Sequence, residues 1–433
     1  MKRVLSLFTL VLMFLSGPVF AHPMANSIVL LEVHESTVQA EVQIPLSELG
    51  LAIKENLLGD PNAVVSTYGA RLESYLTEHI QPLTPEGESW TVAVDGLSVK
   101  EAEQTATGPY QELVARLTFT PPDGASTRTF TLEYDAVVHQ VVTHKILVSI
   151  QQDWLNGVTP EHATEAEVIR LNPVDSTIAP LTIDLSNGSV WRGFLSMVNL
   201  GMSHISEGTD HLLFLLTLLL PAPLLAVAGR WATFAGTPQS LWSILKIVTA
   251  FTVGHSLTLI LGTLTRAQLP VQPIEVLIAV SIFVSALHAL RPLFPKREML
   301  VAGGFGLIHG LAFSFTLAEL NLSTSQLVLS LLGFNLGIEA MQLFIIALTM
   351  PWLILLARTS FYAPVRIVGA TVAAVASLGW IAERVLVQTN PVTSFVEIAA
   401  GQAVWIIVGL AGMAVLATLW QRSRIKLPGK SST

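Results

Sequence analysis

The chain has 433 residues, of which 51% are hydrophobic and only 12% charged, with no cysteine and a formal net charge of −8; its mean hydropathy is +0.60. A chain this apolar is not soluble throughout, so it reads as a membrane protein. An acidic balance without a basic tract excludes nucleic acid as a partner. The lack of cysteine removes disulfides, thiolate metal sites and Cys nucleophiles together, so any metal must be held by His, carboxylate, amide, Met or backbone groups.

Residues 1–21 read as a secretory signal: Lys2 and Arg3, an apolar core from Val4 to about Leu15, Gly17-Pro18, then a small-residue site at Val19-Phe20-Ala21. The apolar run is short for a membrane span. Cleavage there would leave His22 beside a free α-amine, a pair able to chelate copper or a similar ion.

Residues 22–188 read as an exported, β-rich, sandwich-like domain with one helix. In Thr37–Leu46 the apolar positions Val38, Ala40, Val42 and Ile44 alternate with polar ones, the pattern of a half-buried strand. The same alternation recurs at Trp90–Val94, Leu113–Phe119, Phe130–Tyr134 and Ile146–Ile150, with turn residues at Asp95-Gly96 and Pro121–Gly124. Val64, Tyr68, Leu72, Tyr75 and Leu76 break the rule, because their spacing predicts a helix behind Asp60-Pro61. His34, His79, His139, His144 and His162 show no ligand-type spacing and read as solvated surface histidines. No nucleophile elbow or phosphate loop is visible, which points to binding, capping or contact with an exported partner.

Residues 189–424 read as an α-helical bundle of seven transmembrane helices, followed by a basic cytoplasmic tail, 425–433. Span-length apolar segments fall near Asp210–Val227, Leu241–Leu264, Ile274–Leu293, Leu300–Leu320, Gln326–Leu348, Val365–Val387 and Ile398–Trp420, with Trp191–Ser203 as an interfacial or re-entrant lead-in. An exported N-terminal domain makes the first span run inward. The cytoplasmic loops and tail then hold Arg230, Arg291, Lys296, Arg297, Arg358, Arg366, Arg422, Arg424, Lys426 and Lys430, while the outer loops hold little beyond Arg266 and Arg384. That is the positive-inside pattern.

Ionisable groups punctuate these spans. His204, Glu207 and His211 fall at i, i+3 and i+7, one helix face, with Asp210 beside them at the mouth of an apolar run that extends to Leu220. His255 lies in the outer half of the second span, His309 midway along the fourth, and Asn335, Glu339 and Gln342 form a polar stripe through the fifth. His288 sits toward the cytoplasmic end of the third, as an exit station or an interfacial residue. Any one of these reads equally well as a hydrogen bond between helices. Together they point to a metal or proton pathway converging on one site open to the exterior, because charge in hydrocarbon is costly. Nitrogen and oxygen donors of this kind suit a divalent first-row metal. Gly303, Gly306 and Gly310 around His309 predict close helix approach.

The His204…Asp210-His211 arrangement, Gly254-His255-Ser256, the GLIHGLAF run at Gly306–Phe313 and the FNLGIEAMQ run at Phe334–Gln342 resemble the HupE/UreJ family of membrane proteins, in its branch with a large exported N-terminal domain. The broader nickel/cobalt transporters have one residue fewer between the first His and the Asp-His pair. The resemblance implies a permease or accessory role in metal supply rather than an enzyme, located in a bacterial inner (plasma) membrane with a periplasmic N-terminal domain and a cytoplasmic C-terminus. It favours nickel, with zinc, copper or cobalt open, and carries over His204, Asp210 and His211 as metal ligands, with His255, His309 and Glu339 matched to them. Two rivals stay open. One is an intramembrane zinc hydrolase with Glu207 or Glu339 as base, although no HExxH signature is present. The other is a non-transporting sensor or assembly factor. With no ATP-binding loop in the sequence, transport would run on a gradient or by facilitated diffusion.

Overall fold

The computed structural model describes residues 25–104, 108–265 and 270–425. The expected signal segment, His22, Arg266, Lys426 and Lys430 lie outside the described residues. The chain divides into two compact units, one up to Ser189 and one from Val190.

The first unit is β-rich. Strand β1 (Ser27–Val33) turns back into β2 (Val38–Pro45), and the helices α1 (Leu46–Ile53) and α2 (Pro61–His79) follow. Then come β3 (Ile80–Leu83), β4 (Thr91–Gln104), β5 (Gly108–Thr120), β6 (Thr129–Tyr134), β7 (Lys145–Asp153), β8 (Thr164–Asn172), β9 (Thr177–Ile178) and β10 (Leu181–Asp184). They form a seven-stranded sheet of order β4-β5-β2-β1-β7-β8-β9 and a three-stranded sheet of order β10-β6-β3. β1 pairs antiparallel with β2 and parallel with β7, so this sheet is mixed. The alternation read in the sequence places Val29, Leu31 and Val33 of β1 and Val38, Val42 and Ile44 of β2 in one core, shared with Phe130 and Leu132 of β6 and Leu72 and Leu76 of α2.

Two helices are present where one was expected. Leu46, Leu49, Ala52 and Ile53 are buried on one side of α1, which ends where Lys54 takes the left-handed conformation (φ 59°) and returns its N–H to the Gly50 carbonyl. Eight residues are too few for helical periodicity to stand out against a preceding strand. Nor are all the histidines solvated. His144 is buried, its Nε2 lies 2.8 Å from Ser27 Oγ, and loss of solvent pushes its pKa down to about 4.

The second unit is helical: α3 (Val190–Glu207), α4 (Thr209–Leu219), a hairpin of β11 (Leu224–Val227) and β12 (Arg230–Phe234), then α5 (Thr237–Thr265), α6 (Val271–Leu290), α7 (Glu298–Glu319), α8 (Thr324–Ala357), α9 (Tyr362–Leu386), α10 (Pro391–Ala400) and α11 (Ala403–Ile425). Among the described residues, five helices are long and apolar enough to cross a membrane: α5, α6, α8, α9 and α11. The expected first span, Asp210–Val227, is instead a helix that stops at Leu219 and a hairpin. Pro221 and Pro223 cannot continue a helix, and Ala228 and Gly229, at φ 48° and 72°, make the tight turn. The expected lead-in Trp191–Ser203 is a full helix, α3. The expected last span is divided into α10 and α11.

Helix termini follow local chemistry. Ser323 and Gln326 form a reciprocal capping box at the start of α8, and Asn390 caps α10 ahead of Pro391. Two helix pairs run side by side and parallel. Along α5 and α7, a Cβ on Gly254 would strike the Gly303 carbonyl, and one on Gly306 or Gly310 would strike the Phe251 or His255 carbonyl. Along α3 and α8, Gly201 and Gly337 stand equally close to the Phe334 and Val198 carbonyls. Only hydrogen in place of Cβ permits these approaches.

Candidate metal centre

Histidines from α3, α4, α5 and α7 come together where the two glycine-packed pairs meet. α3 carries His204 in its last turn, the chain breaks at Gly208, and α4 opens with Asp210 and His211 in its first turn. The break replaces the single helix face expected to hold His204, Glu207 and His211. The two histidines still meet, with ring centroids 4.6 Å apart, whereas Glu207 is exposed. A Cβ on Gly208 would lie 2.7 Å from both the His204 carbonyl and His211 Nδ1, so this residue leaves the space in which the two rings approach.

His255 of α5 lies 6.1 Å from His204 and 6.5 Å from His211, centroid to centroid, and His309 of α7 lies 5.2 Å from His211. One donor atom from each of His204, His211 and His255 falls within 4.8 Å of the others. His211, His255 and His309 are buried, at 7%, 0% and 1% exposure. Because His309 is about ten residues from either end of α7, the cluster sits roughly 15 Å inside the helix ends. His204, Asp210 and His211 are therefore level with His255 and His309 rather than above them at a mouth.

Hydrogen bonds set the tautomers. Asp210 Oδ1 accepts the His211 backbone N–H at 2.8 Å and its Nδ1–H at 2.9 Å. A carboxylate only accepts, so Nδ1 carries the proton and Nε2 keeps its lone pair. Asp210 in the first turn of α4 also complements the helix dipole. The single hydroxyl proton of Ser281 goes to the Ile278 carbonyl (2.7 Å), so His309 Nε2–H donates to Ser281 Oγ at 2.9 Å and the lone pair is on Nδ1. In this cluster five imidazole nitrogens are buried without a hydrogen-bond partner: His204 Nε2, His211 Nε2, His309 Nδ1 and both nitrogens of His255. An unmet buried polar atom costs about 1–3 kcal/mol, so five in one cluster rival the whole stability of a domain. Their walls are apolar. Phe313 and Phe334 stack on each other and lie tilted against His204, and Phe214 and Phe251 pack against His309.

Glu339 is not among the three grouped donors. It is half-buried on α8 between Asn335, whose Oδ1 accepts from Ser256 at 2.6 Å, and Gln342, whose Oε1 accepts from Thr252 at 3.0 Å. These bonds seam α8 to α5 beside His255. His288 serves the chain elsewhere. Its Nδ1 accepts the backbone N–H groups of Leu293 and Phe294 at 3.1 and 3.4 Å, and its ring stacks on Phe294 at 3.8 Å. It therefore shapes the turn after α6. Sequence reasoning missed Ser281 and the four phenylalanines, which look like ordinary residues of apolar helices.

Fold and site together define an integral membrane protein with an imidazole-rich cluster buried among its helices. Residues 182–384 match the family model described as HupE / UreJ protein, a family associated with metal transport. No curated protein matches the chain.

Proposed function

We propose that the helical unit binds a divalent first-row metal ion through His204, His211, His255 and His309 and carries it across the membrane as cargo. One observation carries this reading: five buried imidazole nitrogens without partners, two of them on rings whose lone pairs are directed by hydrogen bonds from the opposite nitrogen. That is how ligating histidines are held, with the second nitrogen fixed by a carboxylate or hydroxyl. Asp210 orients His211, and Glu339 supplies a carboxylate along the ion's route beside the seam of α5 and α8. Four neutral imidazoles hold such an ion firmly enough to displace its water, and a set without bridging carboxylates lets it leave again.

Nickel is the favoured cargo by family, and the site opens toward the exterior, with the N-terminal unit outside and the C-terminus in the cytoplasm. The exposed position of Glu207 speaks against a hydrolase that would use it as base. The test is uptake of radiolabelled nickel into vesicles carrying purified protein. Uptake lost in His211→Ala and His255→Ala supports the permease. Metal content unchanged after removal of both His204 and His211 overturns the site itself.

A further inference from the structure

A second group of donors stands in the β-rich unit. α2 ends at His79 and passes directly into β3, whose pairing with β6 sets Ile80 opposite Tyr134. His79 and Asp135 are thereby held side by side, the Asp135 N–H bonding the His79 carbonyl at 3.1 Å. The turn after β6 folds back so that the His139 N–H reaches the Asp135 carbonyl at 3.0 Å. Three residues far apart or unpatterned in sequence thus meet for a backbone reason.

Their side chains are arranged as ligands are. His79 Nδ1 lies 2.7 Å from Asp135 Oδ1, and His139 Nδ1 lies 2.9 Å from the Asp135 carbonyl. Both oxygens only accept, so without an ion both rings carry a proton at Nδ1; a cation shared by His79 and Asp135 takes the place of the His79 Nδ1 proton, while His139 keeps its lone pair on Nε2. The rings stack nearly parallel, 4.3 Å between centroids and 9° between planes, with Tyr75 against His79 at 4.4 Å. One donor atom from each of His79, Asp135 and His139 falls within 4.8 Å of the others. Each residue is only partly buried, and an adjoining cavity of about 320 Å³ is walled by Glu78, Glu133 and Asp135. Acidic walls draw a cation.

We propose that His79, Asp135 and His139 form a solvent-accessible site for a divalent first-row cation, distinct from the membrane cluster and independent of whether that cluster transports. Two imidazoles and one carboxylate leave coordination positions for water or an incoming ligand, as in an exchangeable site.

The test uses full-length protein in detergent, stripped by chelator, with His204→Ala and His211→Ala combined to silence the membrane cluster. Titration with zinc ion, followed by calorimetry, is expected to show one remaining equivalent, with affinity falling about tenfold or more in His139→Ala and in His79→Ala. His162→Ala serves as the control without effect. Should His79→Ala misfold, copper(II) electron paramagnetic resonance gives a second reading: coupling to two imidazole nitrogens in the parent and to one in His139→Ala. Absence of the remaining equivalent in the silenced protein, or equal affinity in folded His139→Ala, overturns the proposal. Loss of membrane-cluster binding alone leaves it standing.

Discussion

At the scale of single residues, the cluster depends on small decisions about where protons sit. Asp210 holds the Nδ1 proton of His211, which leaves the lone pair on the buried Nε2. Asp210→Ala frees that ring to adopt the other tautomer, and nickel affinity measured by calorimetry is expected to fall about 10–100-fold, the usual consequence of losing such a partner. Gly208→Ala is expected to do comparable damage without replacing a ligand, because its Cβ would collide with the His204 carbonyl and with His211 Nδ1. Unchanged affinity with retained helical circular dichroism would refute that account.

His144 supplies a prediction away from the membrane. Its pKa falls from the ordinary 6.5 to about 4 in the folded unit, so the folded state takes up fewer protons than the unfolded chain between these values. The stability it confers is complete above pH 6.5 and is lost as pH falls toward 4, by as much as about 3 kcal/mol. Glu32 and Glu48, pushed up by burial, act in the opposite direction. The difference between the parent and His144→Gln in urea midpoint, followed from pH 7.5 to 4.5 by circular dichroism of the β-rich unit, isolates the histidine. A parallel pair of curves would contradict the assignment.

Among the elements, glycine decides which helices can carry a shared site. Gly337 abuts the Val198 carbonyl and Gly306 the Phe251 carbonyl, so each holds one helix of a parallel pair against the other. Gly337→Leu or Gly306→Leu is expected to force α3 from α8, or α5 from α7, and to abolish nickel binding with a lower melting temperature in detergent. Gly304→Ala meets open space and is expected to change neither. The glycine spacing around His309 announced the close approach of α7, but not its partner. The break at Gly208 was not legible, because its backbone is extended at φ −70° and ψ 96° in a stretch whose side chains keep helical spacing. A periodic pattern reports which side chains are apolar and is silent about a single residue that leaves the helix.

For the whole molecule, the proposed orientation, with the basic loops inside, is one that labelling can decide. The chain has no cysteine, so single cysteines at Ser360 and Gln388, both exposed between helices, report sidedness without background. Gln388→Cys is expected to react with an impermeant maleimide in intact cells, and Ser360→Cys only after permeabilisation. The reverse result would invert the proposed orientation.

Membrane character, the β-rich first half, the positions of the histidines and the HupE/UreJ motifs were all determined by the sequence itself, since composition, alternation and short motifs are properties of neighbours along the chain. Tertiary structure alone decided that His204, His211, His255 and His309 share one buried space, that Ser281 and Asp210 set the protons there, and that His79 and His139 close on Asp135. The distance between side chains on different helices or strands is fixed by packing, glycine contacts and strand register, and none of these is written in the spacing of residues along one segment.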